Sequence, residues 1–110
     1  MAEYAIKECL RAGSSPFADW FSGLDPKAAG KVTTVLYRLE QGNLSNVKSV
    51  GGGVSECKVN FGPGYRIYFG QDGKTLIVLL GGGTKKTQQK DIDRAKDFWR
   101  EYQSGKKSGG

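Results

Sequence analysis

Apolar and polar side chains alternate along residues 54–61 and again along residues 65–69, and this period of two predicts two β-strands joined as a hairpin. A two-residue turn would oppose Val59 to Arg66, whereas a three-residue loop with Gly64 in a left-handed conformation opposes Val59 to Ile67. We choose the three-residue loop, which also pairs Phe61 with Tyr65, Lys58 with Tyr68, and Asn60 with Arg66. The sequence therefore predicts a cation, a phenol, an amide and a guanidinium on one patch of sheet.

A second hairpin is predicted around residues 72 and 73, because Asp-Gly is a favoured two-residue turn. This turn would pair Phe69 with Leu76 and Ile67 with Val78. The strand at residues 76–80 is apolar on both faces, which is typical of a central strand. Its second face would then form an apolar floor beside Arg66 and Tyr68, made by Ile77 and Leu79.

The first half of the chain carries the signals of a strand and two helices. A short strand is predicted at residues 4–10, with its partner elsewhere in the chain. One helix begins at residues 14–16, where Ser14 or Ser15 can cap it and a proline suits its first turn. A second begins at residues 25–26 and ends near residues 42–43, and we expect the two helices to form an antiparallel pair.

Two glycine-rich segments flank the hairpins. Residues 46–53 are expected to form a flexible spacer, since three glycines in a row weaken regular structure. Residues 81–88 are expected to form a turn that leads into a last helix, whose inner face would include Ile92, Ala95, Phe98 or Trp99, and Tyr102. We therefore predict an α+β fold with a single domain over residues 1–104 and a flexible tail at residues 105–110.

Composition and charge narrow the possible functions. The 110 residues carry a formal net charge of +6 and a pI near 9.4, which favours a polyanionic partner. The absence of histidine excludes histidine-based acid–base catalysis and histidine metal ligands. Cys9 and Cys57 match no metal-ligand spacing and are expected to be buried free thiols, and we expect neither a metal nor a cofactor. No signal peptide or membrane-spanning run is found, so a cytoplasmic location is expected.

The lysine-bearing turn at residues 81–88 is a candidate anion site, because a helix N-terminus presents free amides and the positive end of a dipole. A nucleotide-binding loop needs a lysine directly after its second glycine, followed by Ser or Thr. Here Thr84 separates Gly83 from Lys85. RNA phosphate is therefore the better candidate for the bound anion.

A set of short motifs runs through the hairpins into the last helix: Gly42-Asn43, Gly53-Val54-Ser55-Glu56, Gly62-Pro63-Gly64-Tyr65-Arg66-Ile67-Tyr68-Phe69, Leu79-Leu80-Gly81-Gly82, Lys85, Thr87-Gln88 and Asp91-Ile92. Together they resemble the RelE/ParE toxin superfamily and, more narrowly, its HigB-like "addiction module killer protein" branch. The likeness runs from about Phe17 to Trp99, and the hairpin at residues 62–66 is its most specific part. The resemblance implies a RelE-like fold with a short N-terminal strand, a two-helix hairpin, an antiparallel sheet of hairpins and a C-terminal helix.

The resemblance also implies a function. Its members are small toxins that cut messenger RNA in the ribosomal A site and are silenced by a cognate antitoxin, so the implied partners are an antitoxin protein, the ribosome and mRNA. Carried over to this chain, the family's basic site falls on Lys58 and Arg66, with Lys85 or Lys86 on the following turn and Tyr68 as a stacking group.

The chemistry of these residue types suits the steps of RNA cleavage. Cleavage without a metal uses the 2′-hydroxyl of the RNA, which must be deprotonated while charge on phosphorus is stabilised and the leaving oxygen is protonated. Lys58 is the candidate base or proton shuttle, and Arg66 the candidate phosphate clamp. Tyr68 would stack on a base or act as an acid, and Glu56 would act as a base or pair with Lys58. The RNA- and phosphate-binding candidates are Lys85, Lys86, Asn60 and Thr87.

Two other functions stay open at this point, because a fold does not determine a function. One is a gyrase-inhibiting toxin of the ParE kind, which would leave transcripts intact. The other is a protein that binds an antitoxin and has no catalytic activity.

Overall fold

Residues 3–109, with the side chains of residues 3–105, are described by a computed structural model. The elements are β1 (Ala5–Glu8), α1 (Pro16–Ser22), α2 (Pro26–Glu40), β2 (Val47–Gly51), β3 (Val54–Val59), β4 (Tyr65–Asp72), β5 (Leu76–Thr84) and α3 (Gln88–Gly109), with a 3₁₀ turn at Lys85–Thr87 before α3. The strands form one five-stranded sheet in the order β1-β5-β4-β3-β2, in which β1 is parallel to β5 and the other neighbours are antiparallel. The expected mixed α and β class is confirmed.

The first two helices begin where the sequence predicts. Ser15 caps α1, its Oγ accepting a hydrogen bond from the Ala18 amide at 3.0 Å. Asp25 caps α2 in the same way, its Oδ1 accepting from the Ala28 amide at 2.9 Å. Each cap satisfies an amide that would otherwise lack a partner in the first helical turn.

The sheet buries an apolar layer on each face. One layer joins the sheet to α1 and α2 through Phe17, Val32, Leu39, Cys57, Val59, Ile67, Phe69, Ile77 and Leu79. The other joins it to α3 through Cys9, Val54, Tyr68, Val78, Leu80, Ile92, Ala95 and Trp99. The sheet is therefore a central layer, with α1 and α2 on one face and α3 on the other. On the α3 face, Lys48 and Lys58 stay exposed.

The predicted register of the first hairpin is wrong by two residues. Val59 pairs with Tyr65 and Lys58 with Arg66, so the connecting loop spans residues 60–64. The expected pairs of Lys58 with Tyr68 and Asn60 with Arg66 do not form, and Glu56 lies opposite Tyr68 instead. Since a shift of two residues leaves every side chain on its original face, the predicted faces of β3 and β4 are right.

The predicted register of the second hairpin is also wrong, and here the faces change. Asp72 pairs with Leu76 and Phe69 with Leu79, which makes a three-residue turn at residues 73–75. This odd shift places Ile77 and Leu79 in the α1/α2 layer, so they form no floor beside Arg66 and Tyr68. A register irregularity between Tyr68 and Phe69 then moves the pairing on by one residue.

Both glycine-rich segments are more regular than predicted. The expected spacer at residues 46–53 contains the edge strand β2 and its turn, and residues 81–84 continue β5 as a strand. Glycine is needed at two strand positions because of close neighbours: a Cβ on Gly70 would lie 2.4 Å from the Trp99 ring, and one on Gly82 would lie 2.3 Å from the Trp20 ring. Glycines in these strands admit aromatic rings against the backbone.

The chain ends fit the expected organisation in part. The strand predicted at residues 4–10 pairs with β5, and both cysteines are buried free thiols, as expected. The boundary expected at residue 104 stays a prediction, because α3 extends to Gly109 and the side chains beyond residue 105 lie outside the described part. Among the described residues, no helix has the length and apolar character that crossing a membrane requires.

Candidate functional site

Basic side chains gather on the α3 face of the sheet, at the end that α3 leaves open. Lys58 on β3 lies directly opposite Arg66 on β4, and Lys48 on β2 lies opposite Glu56. Lys85 lies next to the loop before Arg66, because its backbone amide donates to the Gly64 carbonyl at 3.1 Å. We refer to Lys48, Lys58, Arg66 and Lys85 as the basic surface.

Glu56 is the buried anion beneath this surface, with only 2% of its area exposed. Its Oε2 accepts hydrogen bonds from the Tyr68 hydroxyl at 3.2 Å and from Nε2 of the Gln88 side chain at 2.8 Å. Its Oε1 lies 3.6 Å from Arg66 Nε and 3.7 Å from Lys48 Nζ. Because a buried carboxylate needs such partners, the network links β2, β3, β4 and the start of α3.

Arg66 is held on two sides and is 7% exposed. Its Nη1 donates to the Gly64 carbonyl at 2.9 Å, and its Nε faces Glu56 at a distance too long for a hydrogen bond. Within the described chain, this Nε is a buried donor that has no acceptor. The guanidinium is thus fixed by ionic attraction and by one loop carbonyl, which orients its planar fork at the edge of the basic surface.

Tyr68 is fully buried, so the predicted role of its ring as a stacking platform for a base is wrong. The ring packs in the α3 layer and its hydroxyl donates to Glu56. Burial, together with the neighbouring Glu56 carboxylate, raises the pKa of the Tyr68 hydroxyl well above its usual value. Tyr68 therefore stabilises the Glu56 carboxylate by a hydrogen bond, and its ring has no exposed face for a ligand.

We expect Tyr68→Phe to weaken the dependence of stability on alkaline pH. A tyrosine whose pKa is raised by folding contributes stability that is present below its ordinary pKa of about 10 and is lost as pH rises above it. The wild-type urea midpoint should therefore fall more steeply than that of the variant as pH rises from about 9.5 to about 11.5. At neutral pH the variant should lose only about 0.5–1.5 kcal/mol for one hydrogen bond.

Cys57 is retained in both proteins and serves as the internal control. Burial raises the pKa of its thiol to about 11, so its own alkaline contribution is common to both. An equal fall in midpoint for wild type and variant would show that folding does not raise the pKa of Tyr68.

The remaining predicted site residues lie around the basic surface. Lys58, Lys85 and Lys86 are exposed, as a phosphate contact requires. Asn60 is exposed in the loop after β3, away from its expected position opposite Arg66. The Thr87 hydroxyl donates to Asp91 at 2.5 Å and is engaged within the protein.

Two residues of the network were missed in the sequence. Lys48 lies in the segment predicted as a spacer, because residues 47–50, Val-Lys-Ser-Val, do not alternate in polarity and the strand they form is irregular between Ser49 and Gly51. Gln88 carries no sequence signal for its contact with Glu56, because residues 32 positions apart are brought together only by the docking of α3. Among the described residues, no cluster of Cys, Asp and Glu side chains is arranged to hold a metal ion.

Comparison with known proteins gives the chain its family. Residues 19–100 match the family described as "Phage derived protein Gp49-like (DUF891)". The chain is also similar to an uncharacterized protein of Haemophilus influenzae (strain ATCC 51907 / DSM 11121 / KW20 / Rd), with 41% identity over 81 residues that cover 73% of this chain and 82% of the relative. The matched span begins in α1, ends in α3 and includes the whole basic surface. The chain therefore belongs to the Gp49-like, phage-derived protein family.

Proposed function

We propose that this protein is the toxin of a type II toxin–antitoxin module and that it cleaves messenger RNA without a metal ion. The observation that carries the proposal is the pairing of exposed Lys58 with Arg66, whose guanidinium is fixed by Glu56 and the Gly64 carbonyl. One mobile cation beside one rigid cation suits a reaction that needs both proton transfer and phosphate binding. Membership of the Gp49-like family, which is associated with toxin–antitoxin systems, is consistent with this reading.

The proposed reaction is an internal transesterification of RNA. The 2′-oxygen attacks the adjacent phosphorus, the bond to the 5′-oxygen breaks, and the products are a 2′,3′-cyclic phosphate and a 5′-hydroxyl. Arg66 stabilises the additional negative charge on the phosphate oxygens through its planar pair of donors. Lys58 moves the proton, because it is the exposed titratable group nearest to Arg66 across the hairpin.

Glu56 and Tyr68 act through other residues in this proposal. Both are buried, and Glu56 is occupied by hydrogen bonds from Tyr68 and Gln88. Their role is to hold the Arg66 guanidinium in a fixed orientation, which makes them positioning residues. Lys85, Lys86 and Asn60 contact phosphates on either side of the cleaved bond, and Thr87 orders the turn that carries the two lysines.

The proposed setting is the bacterial cytoplasm, where the ribosome and its mRNA are the targets and a cognate antitoxin keeps the protein inactive. A formal charge of +6 supports polyanionic targets. Three cations of the basic surface, Lys48, Lys58 and Lys85, are exposed and can contact an RNA strand.

Induced expression in a bacterial host tests the proposal. We expect wild type to produce new transcript 5′ ends only while translation runs, and Lys58→Ala to reduce them by about 10²-fold, the usual contribution of a proton-transfer group. Lys74→Ala is the matched control, since Lys74 is an exposed lysine in the turn before β5 and away from the basic surface. Mapping of 5′ ends with and without a translation inhibitor gives the readout.

Other outcomes identify the alternatives. Growth arrest with intact transcripts and altered DNA supercoiling would indicate a gyrase inhibitor. Normal growth with wild type, together with retained binding to its antitoxin, would indicate an inactive binding protein. Equal cleavage by Lys58→Ala and wild type would remove Lys58 from the reaction.

A further inference from the structure

Lys48 forms a loose ion pair at the β2 edge of the basic surface. It lies directly opposite Glu56, and its Nζ is 3.7 Å from Glu56 Oε1, which is too far for a hydrogen bond. The Lys48 side chain keeps 68% of its area exposed. An ion pair of this length with its cation in solvent contributes little to stability, so the ammonium can move to another anion at small cost.

The Glu56 carboxylate keeps its other partners when Lys48 leaves. Its Oε2 accepts from Tyr68 and Gln88, and Arg66 Nε lies 3.6 Å from Oε1. The charge of Arg66 balances that of Glu56. In the part of the chain that the structure describes, no second carboxylate lies within ion-pairing distance of Lys48. Of the two cations at this carboxylate, the exposed one is therefore in excess.

The strand order places Lys48 on a defined side of the Lys58–Arg66 pair. Lys48 shares the α3 face with that pair, because it opposes Glu56, which lies two residues before Lys58 on β3. Lys48 belongs to β2, next to β3, whereas Lys85 follows β5, beyond β4. A cation therefore lies on each side of the pair.

The two sides differ in their nearby carboxylates. On the β5 side, Asp91 accepts the Thr87 hydroxyl and lies against the backbone of Gly83, so it offsets part of the charge of the following lysines. On the β2 side, the carboxylate beside Lys48 is Glu56, whose charge Arg66 balances. The excess charge of Lys48 thus favours an anion on the β2 side.

We propose that Lys48 binds the RNA phosphate next to the cleaved one, on the β2 side, so that the substrate strand crosses the sheet from β2 to the turn after β5. The inference rests on the proposed function, in which Lys58 and Arg66 act on the cleaved phosphate. Neighbouring strands are about 4.8 Å apart, so the crossing covers about 14 Å. At roughly 3.4 Å for each stacked nucleotide, this length corresponds to about four nucleotides of single-stranded RNA.

Binding of an uncleavable RNA separates the role of Lys48 from the chemistry. The probe is a single-stranded RNA decamer with a 2′-O-methyl group at every position, which removes the attacking hydroxyl. We expect Lys48→Ala to weaken binding about fivefold at low salt and to make the plot of log affinity against log salt shallower by about 0.7, the value for one phosphate contact on a single strand. The loss should be equal for decamers of different base sequence, because a phosphate contact carries no sequence information.

Further variants control for structure and for charge. Lys48→Gln keeps a polar side chain beside Glu56 and loses the charge, so it should match Lys48→Ala, whereas Lys48→Arg should restore both affinity and salt slope. Lys74→Ala removes an exposed lysine in the turn after β4, at the opposite end of that strand from Arg66, and should bind as wild type does. Lys58→Ala should also weaken binding and is the positive control.

Three results would overturn the inference, and each has a different meaning. Wild-type binding by Lys48→Ala, together with weaker binding by Lys58→Ala, would exclude Lys48 and leave the proposed function standing. Weaker binding by Lys48→Ala with an unchanged salt slope would show that Lys48 acts through Glu56 and not on a phosphate. Absence of RNA binding by wild type at low salt would overturn both the inference and the direct contact of the basic surface with RNA.

Discussion

Arg66→Lys is expected to reduce the proposed RNA cleavage by about 10²–10³-fold while leaving the protein folded, because lysine keeps the charge and loses the planar pair of donors. The guanidinium is held by the Gly64 carbonyl and faces Glu56. A lysine ammonium can approach Glu56 but cannot at the same time present a second donor to phosphate in a fixed plane. Cleavage of a reporter transcript in a reconstituted translation reaction measures the effect.

Arg38→Lys is the matched control for this change. Arg38 is an exposed arginine in the last turn of α2, and no ion pair to its side chain is found in the described part of the chain. It should retain full activity. Activity of Arg66→Lys within a factor of about two of wild type would mean that a point charge is sufficient and that the proposed clamp is wrong.

Trp99→Ala is expected to destabilise the protein by about 3–5 kcal/mol, the usual cost of truncating a buried tryptophan. Trp99 is buried with 4% exposed area, and its ring stacks on Tyr102 at 5.3 Å and covers the backbone at Gly70. Its loss would leave a cavity between α3 and the sheet. Urea unfolding followed by circular dichroism measures the change.

A double-mutant cycle with Gly70 shows whether the ring and the glycine are a matched pair. Gly70→Ala should strongly destabilise wild type, because the new Cβ would lie 2.4 Å from the Trp99 ring, yet it should cost much less in the Trp99→Ala background. Tyr37→Ala, which truncates an aromatic residue that is 61% exposed, should change stability by no more than about 0.5 kcal/mol. Additive effects of Trp99→Ala and Gly70→Ala would contradict the packing argument.

Local signals in the sequence predict much of this fold. Ser15 and Asp25 lie where a capping residue and a proline mark a helix start, and both cap as expected. The alternation in β3 and β4 places Lys58 and Arg66 on one face correctly. These features depend on neighbouring residues, so a single sequence contains them.

Registers and glycine roles were less predictable because they depend on distant contacts. The loop at residues 60–64 is longer than its glycine and proline pattern suggests, and the Asp72-Gly73 signal is overridden when Asp72 pairs with Leu76. Glycine occupies position 82 of a strand because the Trp20 ring packs against its backbone and leaves no room for a Cβ. A glycine that makes room for a ring has the same appearance in a sequence as a glycine that makes a turn.

In the candidate site, too, features set by neighbouring residues could be predicted, and features set by distant contacts could not. Lys58 and Arg66 could be selected from the alternation alone, whereas the burial of Tyr68 could not, because it results from the docking of α3 over β4. The contact of Gln88 with Glu56 has the same origin. Sequence therefore identifies the cations of the site, and tertiary packing decides how deeply Arg66, Tyr68 and Glu56 are buried.

The parallel pairing of β1 with β5 bears on the order in which the parts of the basic surface come together during synthesis. Ala5 lies opposite Leu76, so β1 has no partner until β5 has been synthesised. The hairpins that carry Lys58 and Arg66 close over short loops and are expected to fold first, since local contacts cost less loop entropy. Lys85 and Gln88 come later still in synthesis. We therefore expect the basic surface to be completed only when residues 85–88 dock against the folded hairpins.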